Sequence, residues 1–243
     1  MLNQVVLHLG IDVPGTDLVD EHIARDRRRD RMESCRTVRF RIQEPIVREA
    51  LLEPILRRMR VRQVLPVLLR HPECCLLDIG CGWEARLLKS VEPYVKRAVG
   101  VDFKAPDIAT PKLTTITATL VDELPFPDAT FDVVTLLAVL EHLSHPRAMV
   151  GEICRVLKPG GQVILTVPSL AAKPVLEFLA YRVGLVSAAE IRDHKRYYDR
   201  KSLEALFAGS GLMIDRHCYF QLGMNNLVVA TRGDEPAPAR ARR

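Results

Sequence analysis

Short apolar runs separated by helical stretches fill the middle of the chain. The runs lie at Cys74–Ile79, Ala98–Val101, Leu113–Thr117, Phe131–Leu137 and Gln162–Val167, then at Leu212–Phe220 and Asn226–Thr231. Segments with helical spacing fit between most of them, at Ala85–Val91, Pro146–Leu157 and Arg200–Gly209. Strands that read as continuous apolar runs are covered on both faces. The alternation therefore predicts an α/β fold, a doubly wound and mostly parallel sheet of seven strands with helices on both faces. Only a short turn near Gly223 joins the last two runs, so they are expected to pair as a hairpin, with the last strand antiparallel. Upstream, Ile46, Val47, Ala50, Leu51, Ile55, Met59, Val64 and Leu68 recur at helical spacing with Arg between them. Pro54 and Pro66 are expected to divide that stretch into shorter helices.

Residues 1–44 show no sustained period and read as an N-terminal extension, with one domain over residues 45–231. Residues 173–199 form an insertion in that domain, and residues 232–243 are a Pro/Ala/Arg-rich tail expected to be disordered. With 243 residues, 48% of them hydrophobic and 27% charged, the chain is long and apolar enough for a full core. That balance excludes collagen-like, disulfide-stapled and wholly disordered classes. The apolar stretch Val133–Leu140 contains Thr135 and is far short of the ~20 residues a bilayer requires. No basic residue precedes Asp12, so the N-terminus does not read as a signal peptide. Six cysteines without a C-x-x-C pair read as reduced thiols of a cytoplasmic protein.

Charge is uneven. The chain carries +5 overall, whereas residues 25–70 hold 14 Arg against six acids, a local +8. Such a strip suits phosphates, anionic lipid or RNA. Asp26, Asp30 and Glu33 flank Arg27-Arg28-Arg29, however, and favour a solvated helix face.

The chemistry concentrates at the first strand. Leu77-Asp78-Ile79-Gly80-Cys81-Gly82 closes it and turns into a helix, and the two glycines allow a tight bend and close approach of a ligand to the main chain. The second strand ends Val99-Gly100-Val101-Asp102, which places a carboxylate 20 residues after Gly82 to accept hydrogen bonds from the ribose diol of a nucleoside. A dinucleotide fingerprint asks for G-x-G-x-x-G, and here the third position is Ala85, which NAD tolerates. Asp78 and Glu84 nonetheless put two carboxylates around the bend, which suits a cation better than a diphosphate. S-adenosylmethionine (SAM), with an ammonium and a sulfonium and no phosphate, fits that field.

At this point the chain resembles class I SAM-dependent methyltransferases of the small-molecule type, over roughly residues 60–231. Five motifs carry the resemblance, in order: Leu77–Gly82, Gly100-Val101-Asp102, Leu124–Val134 (LPFPDATFDVV), Leu140-Glu141-His142-Leu143 and Arg155–Gly161 (RVLKPGG). The resemblance implies that Gly80, Cys81 and Gly82 approach the cofactor through their backbone and that Asp78 holds its ammonium. It further implies that Asp102 binds the ribose with Phe103 beside the adenine, and that Leu137 and Ala138 flank the sulfonium. Where family members offer an Asp to the adenine amino group this chain has Ala118–Val121, so Thr119 or the main chain at Leu120 takes that place. Glu84 stands where many relatives have a third glycine, and it either reaches the cofactor ammonium or narrows the pocket. Lys158–Gly161 is read as a structural turn into the fifth strand.

Methyl transfer from a sulfonium is an in-line displacement, in which positioning supplies much of the rate. A hydroxyl acceptor benefits from a base near neutrality, and His142, just past the fourth strand, is placed for it, with His145 close by. In the insertion, His194 and Tyr197 stand among Asp193, Lys195, Arg196 and Tyr198, a run suited to orienting a sugar or an anionic acceptor. Some related methyltransferases bind a divalent cation through Glu-x-x-Glu-His. The first Glu is Ala138 here, so no metal site is expected. His145-Pro146 and Asp199 read as caps of the helices that follow them. The expected function is methyl transfer from SAM to a small-molecule hydroxyl on a glycan, lipid-linked compound or metabolite. The alternatives are RNA methylation through the Arg-rich segment, a nicotinamide dehydrogenase, and a non-catalytic partner subunit. Phe40, the one aromatic in residues 20–70, gives little for RNA bases to stack on.

Overall fold

The computed structural model describes residues 53–119, 123–179 and 192–234. The N-terminal extension, residues 180–191 of the insertion and residues 235–243 of the tail lie outside the described residues. In chain order the elements are α1 (Glu53–Leu68), β1 (Cys75–Ile79), α2 (Arg86–Val91), β2 (Arg97–Asp102), β3 (Leu113–Thr117) and β4 (Phe131–Leu137). They continue with α3 (Pro146–Val156), β5 (Leu157–Pro168), α4 (Ala172–Phe178), α5 (Arg200–Phe207), β6 (Leu212–Phe220) and β7 (Asn225–Arg232).

The seven strands form one sheet in the order β3-β2-β1-β4-β5-β7-β6. β1 through β5 pair in parallel, and β7 runs antiparallel to both β5 and β6. The expected sheet is therefore observed. The central strands owe their legibility to burial: Leu76, Leu77, Ile79, Val133, Val134, Leu136, Val163, Ile164 and Leu165 are all inaccessible to solvent. Strand order reverses between β1 and β4, which opens a crevice beyond their carboxyl ends.

Two expectations about segment ends need correction. α1 runs unbroken through Pro66, which forfeits a helical hydrogen bond there; Val64, Val67 and Leu68 around it are packed into the core and offset that loss. β7 extends to Arg232, one residue into the expected tail. The Arg232 guanidinium donates to the carbonyls of Arg155 and Leu157, where α3 passes into β5, and is buried there.

The two downstream motifs are structural ties. Residues 158–161 loop out of β5, since Phe131 pairs with Leu157 and the next partner of β4 is Gln162 opposite Val133. Lys158 Nζ holds that loop by donating to Asp132 at 2.8 Å, and the other Asp132 oxygen accepts the Cys75 N–H at 2.8 Å. Arg155 fastens Leu124–Asp128 by donating to the carbonyls of Leu124 and Phe126 and to Asp128, while also pairing with Glu152. Glu152 in turn accepts the Leu124 N–H at 2.9 Å. Asp199 and Ser202 form a reciprocal capping box at the start of α5, as expected. At α3, Pro146 takes the first helical position and His145 precedes it without a side-chain cap.

Candidate functional site

Beyond β1 the chain turns sharply. Gly80 and Gly82 have φ of +79° and +70°, and the Gly80 N–H donates to the Val101 carbonyl at 2.7 Å. At Gly80 the glycine is also a steric requirement, because a Cβ there would lie 2.2 Å from Val139 Cγ2. That contact ties the glycine turn to the segment leaving β4, so both sides of the crevice are built against each other.

Asp78 and Asp102 flank the turn, and both are buried. Register explains their placement: Asp78 lies opposite Gly100 of β2 and Thr135 of β4. Thr135 donates to Asp78 Oδ1 at 2.7 Å. Burial, reinforced by the charge of Asp102, nevertheless pushes the Asp78 carboxyl up from 3.8 to about 7. Asp102 is positioned by backbone donors, accepting the Gly82 N–H at 3.0 Å on one oxygen and the Lys104 N–H at 2.8 Å on the other. Each carboxylate oxygen keeps acceptor capacity for a further donor. Cys81 lies next to both acids, and burial first, then Asp78 and Asp102, push its thiol up to about 12. It is a neutral side chain at physiological pH.

A cavity of about 190 Å³ opens at this turn, lined by Asp78, Gly80, Cys81, Gly82, Glu84 and Leu137 among others. Sequence reasoning missed its far wall, where Arg57 and Arg60 project from α1. Nothing in the Gly-rich motif signals them, since they lie more than twenty residues upstream on a helix whose Arg side chains read as a solvated face. Glu84 faces the cavity, and its carboxylate pairs with Arg86 at the start of α2. Asp102 lies behind this lining, joined to it by the Gly82 N–H that it accepts. Phe103 is exposed, with the Lys104 ammonium 5.2 Å from its ring centre. Thr119 is exposed beyond β3, and Leu120 lies outside the described residues. Ala138 turns the chain after β4 with φ +57° and donates its N–H to Thr166.

The second group gathers past β4. His142 lies in a single helical turn, Leu140–His142, and its Nδ1 is 2.9 Å from Asp193 Oδ2. The His142 and His194 rings meet edge to face at 5.0 Å, and His194 Nδ1 is 3.3 Å from the Tyr197 hydroxyl. Burial, and then the neighbouring His142, lower His194 to about 4. The three residues expected on the acceptor side, His142, His194 and Tyr197, thus converge from segments about fifty residues apart. The Lys195 N–H donates to the Glu141 carbonyl at 2.9 Å and fastens the two segments together. That contact leaves no mark in the sequence, because the insertion has no periodic pattern. Among the described residues, no helix is long and apolar enough to cross a membrane.

Residues 39–217 match the family described as methyltransferase domain. The chain is 30% identical over 149 residues to the uncharacterized methyltransferase YcgJ of Bacillus subtilis, covering 53% of this chain and 56% of that protein. It is 32% identical over 114 residues to the ubiquinone/menaquinone biosynthesis C-methyltransferase UbiE of Chromobacterium violaceum, covering 42% and 43%. The chain thus spans about half the length of the curated relatives it matches. Its fold is similar to that of the N-methyltransferase NodS from Bradyrhizobium japonicum, solved with S-adenosyl-L-homocysteine, with TM-score 0.52, 18% identity, and coverage of 73% of this chain and 87% of that one.

Proposed function

The chain belongs to the methyltransferase-domain family, and we propose that it is an enzyme transferring the methyl group of SAM to a small-molecule acceptor. The observation that carries this reading is the pairing of Asp78 and Asp102 around the glycine turn, with Arg57 and Arg60 lining the same cavity as Asp78. SAM presents an ammonium and a carboxylate at one end and a ribose diol at the other. In this reading Asp78 takes the ammonium, Arg57 and Arg60 take the carboxylate, and Asp102 takes the diol. The backbone of Gly80, Cys81 and Gly82 lies along the cofactor, Leu137 and Ala138 flank the sulfonium, and Phe103 and Thr119 border the adenine. The named relatives include an enzyme of quinone biosynthesis, which supports a small-molecule acceptor.

On the acceptor side, His142, His194 and Tyr197 hold the nucleophilic atom in line with the S–CH3 bond, and Asp193 fixes the His142 ring. Alignment of this kind supplies much of the rate of such a displacement. Incubating the protein with methyl-labelled SAM and a panel of phenols, catechols, quinols and sugars tests the reading. Transfer to one class is expected, with His142→Ala lowering kcat at least tenfold and leaving the affinity for SAM unchanged. Label transfer to RNA and to none of the small molecules would instead support the Arg-rich N-terminal region as a nucleic-acid contact.

The Asp78 carboxyl adds a pH signature. A carboxyl whose folded pKa is raised stabilises the apo fold below its ordinary value of 3.8, and that contribution is lost as pH climbs toward about 7. The charged groups around it are Asp102 on β2, Glu84 and Arg86 after the turn, and Arg57 and Arg60 on α1, with the Cys81 thiol alongside. An ammonium ligand requires the ionised form. The affinity for SAM should therefore rise about tenfold per pH unit below 7 and level off above it. Calorimetric titration across pH 5.5–8.5 checks this, and Asp78→Asn should flatten the profile.

A further inference from the structure

We propose that the cavity between the C-terminal end of α1 and the strands β5, β7 and β6 is a second binding site, one that takes a small organic carboxylate with an apolar body. It encloses about 320 Å³. Gln162, one of its lining residues, pairs with Val133 near the start of β4, so the cavity lies at the opposite end of the sheet from the glycine turn. Its floor is apolar, with Val67 and Val229 only 2% and 3% exposed. The charged side chains that line it are Arg70, Arg216 and Asp215, all three exposed at its rim.

A regular strand would not bring two of those charges here. Successive side chains of a strand face opposite sides of the sheet. On β6, however, Ile214 pairs with Ala230 and Arg216 with Val229, so Asp215 is an extra residue in a β-bulge. The bulge turns Asp215 and Arg216 toward one cavity, and re-aiming side chains beside a site is a recurrent use of bulges. Asp215 is held there by Thr231 Oγ1 and by Gln162 Nε2, which donates to Asp215 at 3.2 Å and to Thr231 at 2.9 Å. Gln162 Oε1 accepts from Arg70 Nη2 at 3.5 Å and lies 3.1 Å from His71 Nε2. One glutamine thus joins the end of α1 to β6 and β7, and the wall is formed before any ligand arrives.

The ligand class follows from the donors. Two guanidiniums against one carboxylate leave one positive charge in excess, which suits a monoanion better than a phosphate dianion. A planar carboxylate also matches the fork of an arginine. Among the described residues Arg216 has no hydrogen-bond or ion-pair partner. The one long bond from Arg70 leaves other N–H groups of its guanidinium for a ligand. Pro66, Val67 and Val229 then take an aliphatic or aromatic body, the usual division of labour between an apolar lining and a few polar groups. The site shares a wall with the cofactor cavity, since Arg57 and Arg60 of α1 line the first and Gln63, Pro66 and Val67 the second. Its occupation requires no methyl transfer.

The test is titration of the full chain, in the presence of S-adenosylhomocysteine, with benzoate, hexanoate, acetate, benzamide and inorganic phosphate, followed by calorimetry and amide NMR spectra. Benzoate and hexanoate are expected to saturate one site per chain and to move the side-chain amide signals of Gln63 and Gln162. Acetate lacks the apolar body and benzamide the charge, and each should bind about tenfold more weakly than benzoate. Arg216→Ala and Arg70→Ala should each lower benzoate affinity about tenfold. Both side chains are exposed, so the variants are expected to fold like the parent. Neither substitution should alter binding of S-adenosylhomocysteine, which distinguishes this site from an anion held by Arg57 and Arg60 in the cofactor cavity. Absence of saturable benzoate binding, or binding that survives Arg216→Ala unchanged, would overturn the proposal. Benzamide binding as tightly as benzoate, or phosphate binding more tightly, would overturn the assignment to a carboxylate.

Discussion

Replacing Asp102 with Ala is expected to weaken SAM binding by at least 100-fold while leaving a folded protein. The carboxylate already accepts the Gly82 and Lys104 N–H groups at 3.0 and 2.8 Å, so its position is fixed before any ligand arrives. Two ribose hydroxyls donating to a charged acceptor contribute about 1.5–3 kcal/mol each, and their joint loss gives roughly 100-fold or more. The two N–H groups also lose a partner. They lie in a partly solvated turn, and water replaces the carboxylate at a cost of about 1–2 kcal/mol, which lowers Tm by several degrees. Calorimetry with SAM and thermal unfolding without it separate the two effects. A variant that binds SAM like the parent would remove Asp102 from the site.

The largest loss of stability is expected at Arg155→Ala, about 3–5 kcal/mol, with little direct effect on the cofactor cleft. The Arg155 side chain is 17% exposed and its partner Glu152 only 5%. Its hydrogen bonds hold Leu124, Phe126 and Asp128 against α3, and the Glu152 carboxylate, followed by Asp128, pushes its own pKa well up. Truncation removes a charged partner from the buried Glu152 carboxylate, and breaking such a pair costs far more than the intact pair contributes. Denaturant unfolding of the two proteins measures it. A difference under 1 kcal/mol would mean that Leu124–Asp128 is held by packing of Leu124 and Phe126 alone.

That arginine also shows what the sequence made legible. The strand pattern was readable because β1, β2, β4, β5 and β7 are buried on both faces, and a continuous apolar run has few alternative structures. Gly80, Gly82 and Asp102 were readable for a related reason. A positive φ and a strand-end carboxylate are local demands that only certain residues meet. The rest depends on long-range contacts that leave no local mark. Arg57 and Arg60 face the cleft from a helix before the motif begins, and Thr135 steadies Asp78 from the neighbouring strand. His142, Asp193 and His194 meet across an insertion with no period to fix its path. Pro66 misled for the opposite reason, because burial of its neighbours Val64, Val67 and Leu68 is a tertiary contribution that offsets the local cost of a proline in the helix.

The most direct experiment is a calorimetric titration of the chain at pH 8 with SAM, S-adenosylhomocysteine and NAD in turn. Saturable binding of both adenosyl compounds at one site per chain, with no heat from NAD, is the expected result. Binding of NAD with neither adenosyl compound would contradict the assignment of the Asp78–Asp102 cleft to a cationic methyl donor.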